Sequence, residues 1–95
     1  MEKFKLINKV AVVTGGSSGI GKSIALNFIE SGAKTFVLDI NKINDEDLKL
    51  DSAKNKNNLH FIKCDVSKYS EVKYCFNKIL KLNNIDILVN SAGIA

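Results

Sequence analysis

The stretch Val10-Ala11-Val12-Val13-Thr14-Gly15-Gly16-Ser17-Ser18-Gly19-Ile20-Gly21-Lys22-Ser23 passes from an unbroken apolar run, through a glycine-rich turn, into a helical pattern. Val10 to Val13 shows no polar alternation, as expected of a parallel strand buried on both faces. Ile20, Ile24, Phe28 and Ile29 then recur at helical spacing, and Gly32 stands where a C-terminal cap belongs. Glycines between a strand and a helix permit a sharp turn and let the backbone come close to a pyrophosphate, whose charge meets the free N–H groups of the helix N-terminus. Two chemistries fit. Gly16 to Ser23, GSSGIGKS, matches the phosphate-loop pattern G-x-x-x-x-G-K-[ST]. In that reading Lys22 reaches the β- and γ-phosphates, Ser23 holds Mg²⁺ and Asp39 supplies the acid. The same glycines also suit a dinucleotide, and a glycine turn can be purely structural. The local pattern does not choose among these.

Outward from that turn, three more runs rich in β-branched or aromatic residues read as strands: Thr35 to Leu38, Leu59 to Ile62 and Ile85 to Val89. A weak helical pattern covers about Asn44 to Lys54, with Asp45, Glu46 and Asp47 near its positive end, followed by a Lys/Asn-rich loop. A third helix is expected after Ser67 as N-cap, with Val72, Phe76, Ile79 and Leu80 on its buried face. The order β-α-β-α-β-α-β implies parallel pairing, since each crossover needs a dozen or more residues.

Composition removes several classes of function. At 95 residues the chain accommodates one small domain. An apolar fraction of 45% reads as globular, and no apolar run is long enough to span a bilayer. The first nine residues lack the apolar core of a secretory signal, so a cytoplasmic setting is expected. The net charge of +4 raises nucleic-acid binding, but every basic residue is lysine and the lysines are scattered among acids, so none is expected. Cys64 and Cys75 are too far apart for a C-x-x-C pair, and with His60 alone they make no metal cluster; buried free thiols are expected.

Four ordered segments carry a resemblance. Thr14-Gly15-x-x-x-Gly19-x-Gly21 resembles the signature of the short-chain dehydrogenase/reductase family. Val37-Leu38-Asp39 places an acid at the end of the second strand, where a ribose diol needs an acceptor. Cys64-Asp65-Val66 is similar to that family's Asp-Val segment beside the adenine. Asn90-Ser91-Ala92-Gly93 is similar to its Asn-Asn-Ala-Gly motif, with Ser91 in place of the second Asn. The resemblance spans the whole chain and outweighs the phosphate-loop match.

The resemblance implies a Rossmann-type doubly wound parallel sheet of strand order 3-2-1-4, with residues 1–95 as a partial NAD(P)-binding domain. It implies cofactor binding by Gly15, Ser17, Ser18, Gly19, Ile20, Gly21, Asp39, Asp65, Val66, Asn90, Ala92 and Gly93. NAD is expected over NADP, because Asp39 repels a 2′-phosphate, Ile40 is not basic, and Ser18 stands where NADP-preferring relatives often carry a base. The family's catalytic Ser and Tyr-x-x-x-Lys lie downstream of the Asn-Asn-Ala-Gly segment, so no catalytic residue is assigned here. The full-length protein is expected to act on an alcohol or carbonyl substrate as a homo-oligomer, and the 95-residue chain alone to be inactive. A non-catalytic dinucleotide-binding fragment is the other alternative. Tyr69-x-x-x-Lys73 and Tyr74-x-x-x-Lys78 match the catalytic pattern but precede Asn90 on the third helix; Tyr69 is expected at the core edge and Tyr74 in solvent. One helix on the second sheet face is expected to leave apolar side chains of strands one, two and four wet.

Overall fold

The computed structural model describes residues 5–17, 19–42 and 53–91. These residues form, in order, β1 (Val10–Thr14), α1 (Gly19–Glu30), β2 (Lys34–Asp39), α2 (Ala53–Asn57), β3 (Leu59–Lys63), α3 (Tyr69–Leu80) and β4 (Ile87–Asn90). Every strand pair is parallel, and the sheet runs β3-β2-β1-β4. The expected order is therefore the observed one. The helix expected over residues 44–54 falls, up to residue 52, outside the described residues; α2 takes its last two positions and runs on into the stretch read as loop.

The two faces of the sheet bury two apolar clusters. Val13 and Val37 point to the side of α1, where they meet Ala25 and Ile29, with Ile24, Phe28, Leu59, Phe61 and Val89 packed around them. Val12, Phe36 and Leu38 point the other way and meet Cys64, Cys75 and Ile79, the last two from α3. This division follows from the crossovers. A right-handed connection from β1 to β2 puts α1 on one face, and the return from β3 to β4 puts α3 on the other. Strands buried on both faces have little use for polar residues, which is why Val10 to Val13 reads as continuous apolar sequence.

The second face is better covered than expected. Val12 and Leu38 are fully buried and Phe36 nearly so, so strands one and two are dry there; only β4 keeps an exposed apolar side chain, Leu88. The single helix suffices because β1 and β2 are adjacent and α3 lies across both, whereas β4 is the sheet edge. The faces of the helices also differ in detail from the spacing. In α1 the buried residues are Gly21, Ala25 and Ile29, while Ile20 is exposed. In α3 they are Cys75 and Ile79; Val72 and Phe76 are partly buried, and Leu80 faces solvent.

Helix ends set where the strands begin. Gly32 has φ +96° and ends α1 by donating from its N–H to the Ile29 carbonyl, while Ala33 N–H reaches the Phe28 carbonyl. This paired pattern satisfies two carbonyls that the helix would otherwise leave open. A Cβ at position 32 would also lie 2.8 Å from Ile7 Cγ1, so the close approach of the N-terminal segment requires glycine as well. At the start of α3 the N-cap is Lys68, with extended φ −107° and ψ 112° and no side-chain cap, rather than Ser67. Ser67, one residue earlier, instead donates its hydroxyl to Asp65 Oδ1.

Candidate functional site

The carboxyl ends of the four strands converge on one edge of the sheet, and the candidate residues gather there. After β1 the chain turns at Gly15 with φ +69°, and Gly15 N–H donates to the Leu38 carbonyl at 2.7 Å, tying the turn to the end of β2. The chain enters α1 at Gly19, φ +57°, where a Cβ would meet nothing within 4 Å. The space that a Cβ would take at this helix start is open. The first turn of α1 carries no acidic residue, so the helix's positive end is uncompensated by its own side chains. Ile20 is exposed beside it.

Gly21 has the opposite surroundings. A Cβ there would collide with Ser91 Oγ and the Gly15 carbonyl, so α1 approaches the turn and the end of β4 more closely than any other residue allows. Ser91 is buried, and its hydroxyl donates to the Thr14 carbonyl at 2.5 Å and lies 3.2 Å from that of Gly15. Its N–H also donates to Thr14. Asn90 joins the same tie through Oδ1, which accepts from Thr14 Oγ1 at 2.8 Å. Thr14 and Ser91 thus lock the glycine turn to β4, a role the candidate set did not include.

Asp39 ends β2 half-buried, and its carboxylate is docked on the glycine turn. Oδ2 accepts from Ser17 N–H at 3.1 Å, and Oδ1 accepts from Ile40 N–H at 2.7 Å and Asn41 N–H at 3.4 Å. Ser17 Oγ in turn donates to the Asn41 carbonyl. Three backbone donors on one carboxylate fix both the acid and the loop that faces it. Nothing in the sequence near either residue announces that contact.

Asp65 sits two residues past β3, since Cys64 N–H still pairs with the Asp39 carbonyl at 2.9 Å. Asp65 Oδ1 accepts from both the hydroxyl and the N–H of Ser67, at 2.6 and 3.0 Å. Those two bonds, hydroxyl first, hold its carboxyl below the ordinary aspartate range. Val66 follows and lines a cleft of about 460 Å³ with Thr14, Ser67, Val72, Phe76, Leu88 and Asn90. The structure therefore brings Gly15, Ser17, Gly19, Ile20, Gly21, Asp39, Asp65, Val66 and Asn90 to one edge of the sheet. Ser18, Ala92 and Gly93 lie outside the described residues.

Both tyrosines of the catalytic-like patterns lie exposed on α3. Tyr74 is 68% exposed, as expected, but Tyr69 is 78% exposed and not at the core edge. It is the first residue of α3, before the helix settles onto the sheet. No helix among the described residues is long and apolar enough to cross a membrane.

Known proteins place this arrangement. Residues 9–95 match the short chain dehydrogenase family. The chain is 39% identical over 90 residues to 3beta-hydroxysteroid dehydrogenase 2 of Eggerthella lenta, covering 94% of this chain and 35% of that protein. It is 42% identical over 94 residues to the NAD-dependent glycerol dehydrogenase of Listeria innocua, with 97% and 35% covered. Among solved structures, the ligand-free aldohexose dehydrogenase of Thermoplasma acidophilum superposes with a TM-score of 0.76 at 34% identity, covering 98% of this chain and 32% of that one. The chain spans about a third of the length of these relatives. The glycine turn, the parallel order β3-β2-β1-β4 and a match over nearly all its residues make this chain a member of the short-chain dehydrogenase/reductase family.

Proposed function

We propose that this chain is the NAD-binding part of an oxidoreductase acting on an alcohol or carbonyl substrate. The observation that carries the reading is the Asp39 carboxylate docked on Ser17 N–H, beside an open and uncompensated helix N-terminus. An anionic pyrophosphate suits that helix start, because the first N–H groups of an α-helix have no partner within the helix and favour negative charge. Gly15, Ser17, Ser18, Gly19, Ile20 and Gly21 supply the cradle. Asp39 accepts from the ribose diol, and Asp65 and Val66 border the adenine. Asn90, Ala92 and Gly93 form the floor, and the Thr14–Asn90 tie holds that floor to the turn. Bound there, a nicotinamide dinucleotide supplies or accepts the hydride. This chain's share of the reaction is to bind, orient and exclude, with the general acid/base contributed by the Ser and Tyr-x-x-x-Lys elements of a longer protein.

NAD is favoured over NADP because a 2′-phosphate would meet the Asp39 carboxylate, and exposed Ile40 offers it no cation. The naming of the Listeria innocua relative as NAD-dependent agrees with this. In the full-length protein kcat/KM should be higher with NAD(H). Asp39→Ser should lower it by about tenfold or more, the scale of one hydrogen bond to a charged group, and narrow the gap to NADP(H). Equal or better efficiency of the unaltered protein with NADP(H) would overturn the preference. Lys22→Ala is the control for the phosphate-loop alternative and should change dinucleotide affinity by less than about 1 kcal/mol. Mg²⁺-dependent ATP hydrolysis that disappears in that variant would replace this reading altogether.

A further inference from the structure

Glu71 lies on the first turn of α3, three residues after the N-cap Lys68. An acid at that position commonly reaches back to the N–H of the cap itself. Here it does not, because Lys68 N–H donates to the Asp65 carbonyl at 3.0 Å. Glu71 reaches further and takes the Asp65 N–H on Oε1 at 3.0 Å. Its other oxygen lies 3.9 Å from Lys68 Nζ, both side chains being largely exposed, so that ion pair adds little.

Asp65 is therefore committed on three sides. Its N–H is held by Glu71, its carbonyl by Lys68 and its Oδ1 by Ser67. Only Oδ2 has no intramolecular partner among the described residues. The Ser67 bonds close the turn locally, and the Lys68 bond joins its carbonyl to the helix cap. The Glu71 bond adds a side-chain anchor on the Asp65 N–H, from a helix whose Cys75 and Ile79 are buried against the sheet. It is also charge-assisted, which makes it roughly twice as strong as a neutral backbone pair.

We propose that Glu71 is a positioning residue for cofactor recognition, fixing the Asp65–Val66 segment so that its free oxygen and the Val66 side chain meet the adenine half of the dinucleotide. The proposal rests on the NAD-binding reading above and adds a residue that touches no ligand. Glu71→Met keeps the length and helix preference of the side chain and removes the acceptor; Glu71→Gln keeps an acceptor oxygen. In the full-length protein, Glu71→Met should weaken NADH about fivefold or more, on the scale of a lost hydrogen bond, with kcat unchanged. Glu71→Gln should stay within about twofold, since it restores the bond. Reduced nicotinamide mononucleotide, which lacks the adenine, should bind both variants as it binds the unaltered protein, an outcome that general loosening of the fold would not give. Asp65→Ala separates the two layers of the argument. If it weakens NADH while Glu71→Met does not, the positioning role is overturned and the NAD reading stands. If the unaltered protein does not bind NADH, both fall.

Discussion

His60 stacks on Phe36 with ring centroids 5.0 Å apart and planes 29° apart, and Lys34 Nζ stands 5.5 Å from the centre of the same phenyl ring. The register of β2 and β3 produces this, placing Phe36 directly beside His60. Partial burial lowers the imidazole below 6.5, the positive charge of Lys34 lowers it further, and a backbone hydrogen bond with Asn57 opposes both. Lys34→Gln should accordingly move the His60 pKa upward while leaving it below 6.5. Proton NMR titration of the imidazole measures this directly, and an unmoved midpoint would mean that Lys34 is screened from the ring. In sequence, His60 served only to exclude a metal cluster; its electrostatic neighbour lies 26 positions away (60 − 34) and is brought near only by strand pairing.

Elements were legible to different depths. The four strands and α1 and α3 stand close to where the apolar runs and spacings put them, β1 and β2 most plainly, because a parallel strand buried on both faces has a nearly unmistakable sequence. Faces were harder. Ile79 and Leu80 are adjacent on α3, and spacing alone gave both to the core, yet Ile79 is 2% exposed and Leu80 52%. Cys75 takes the place assigned to Leu80, being one helical turn before Ile79 and thus directly above it on the same face. Ile79→Ala should cost about 2–5 kcal/mol of stability and Leu80→Ala less than about 1, as read by urea unfolding of the full-length protein. Comparable losses would put Leu80 back in the core. The candidate site divides in the same manner. Asp39 was readable because it ends an apolar strand. Its contact with Ser17, the Thr14–Ser91 lock and the reach of Glu71 to Asp65 depend on neighbouring elements meeting at their ends, which no local pattern encodes.

At the scale of the whole molecule, buried titratable groups set the pH range in which the fold is most stable. His60 has its pKa lowered on folding, so the unfolded chain binds more protons below 6.5, and stability falls as pH drops through that region. Cys64 acts on the other side. Burial, then its contact with Cys75, pushes its thiol from 9.0 up to about 12. The folded state therefore keeps its proton where the unfolded chain has lost it, and stability declines as pH rises from 9.0 toward about 12. The urea midpoint should be highest between those limits, and Cys64→Ala should flatten the alkaline decline. A midpoint that held or rose above pH 9 in the unaltered protein would contradict the thiol's assignment. The sheet order has a consequence for how the chain is made. β1 lies between β2 and β4, and Thr14 pairs with Leu38 on one side and Asn90 on the other. On the ribosome β2 emerges early, but the partner for the opposite side of β1 is the last strand described. At synthesis rates of about 5–20 residues per second, a strand that ends up between two neighbours spends roughly 3–10 seconds as an open edge of the nascent chain.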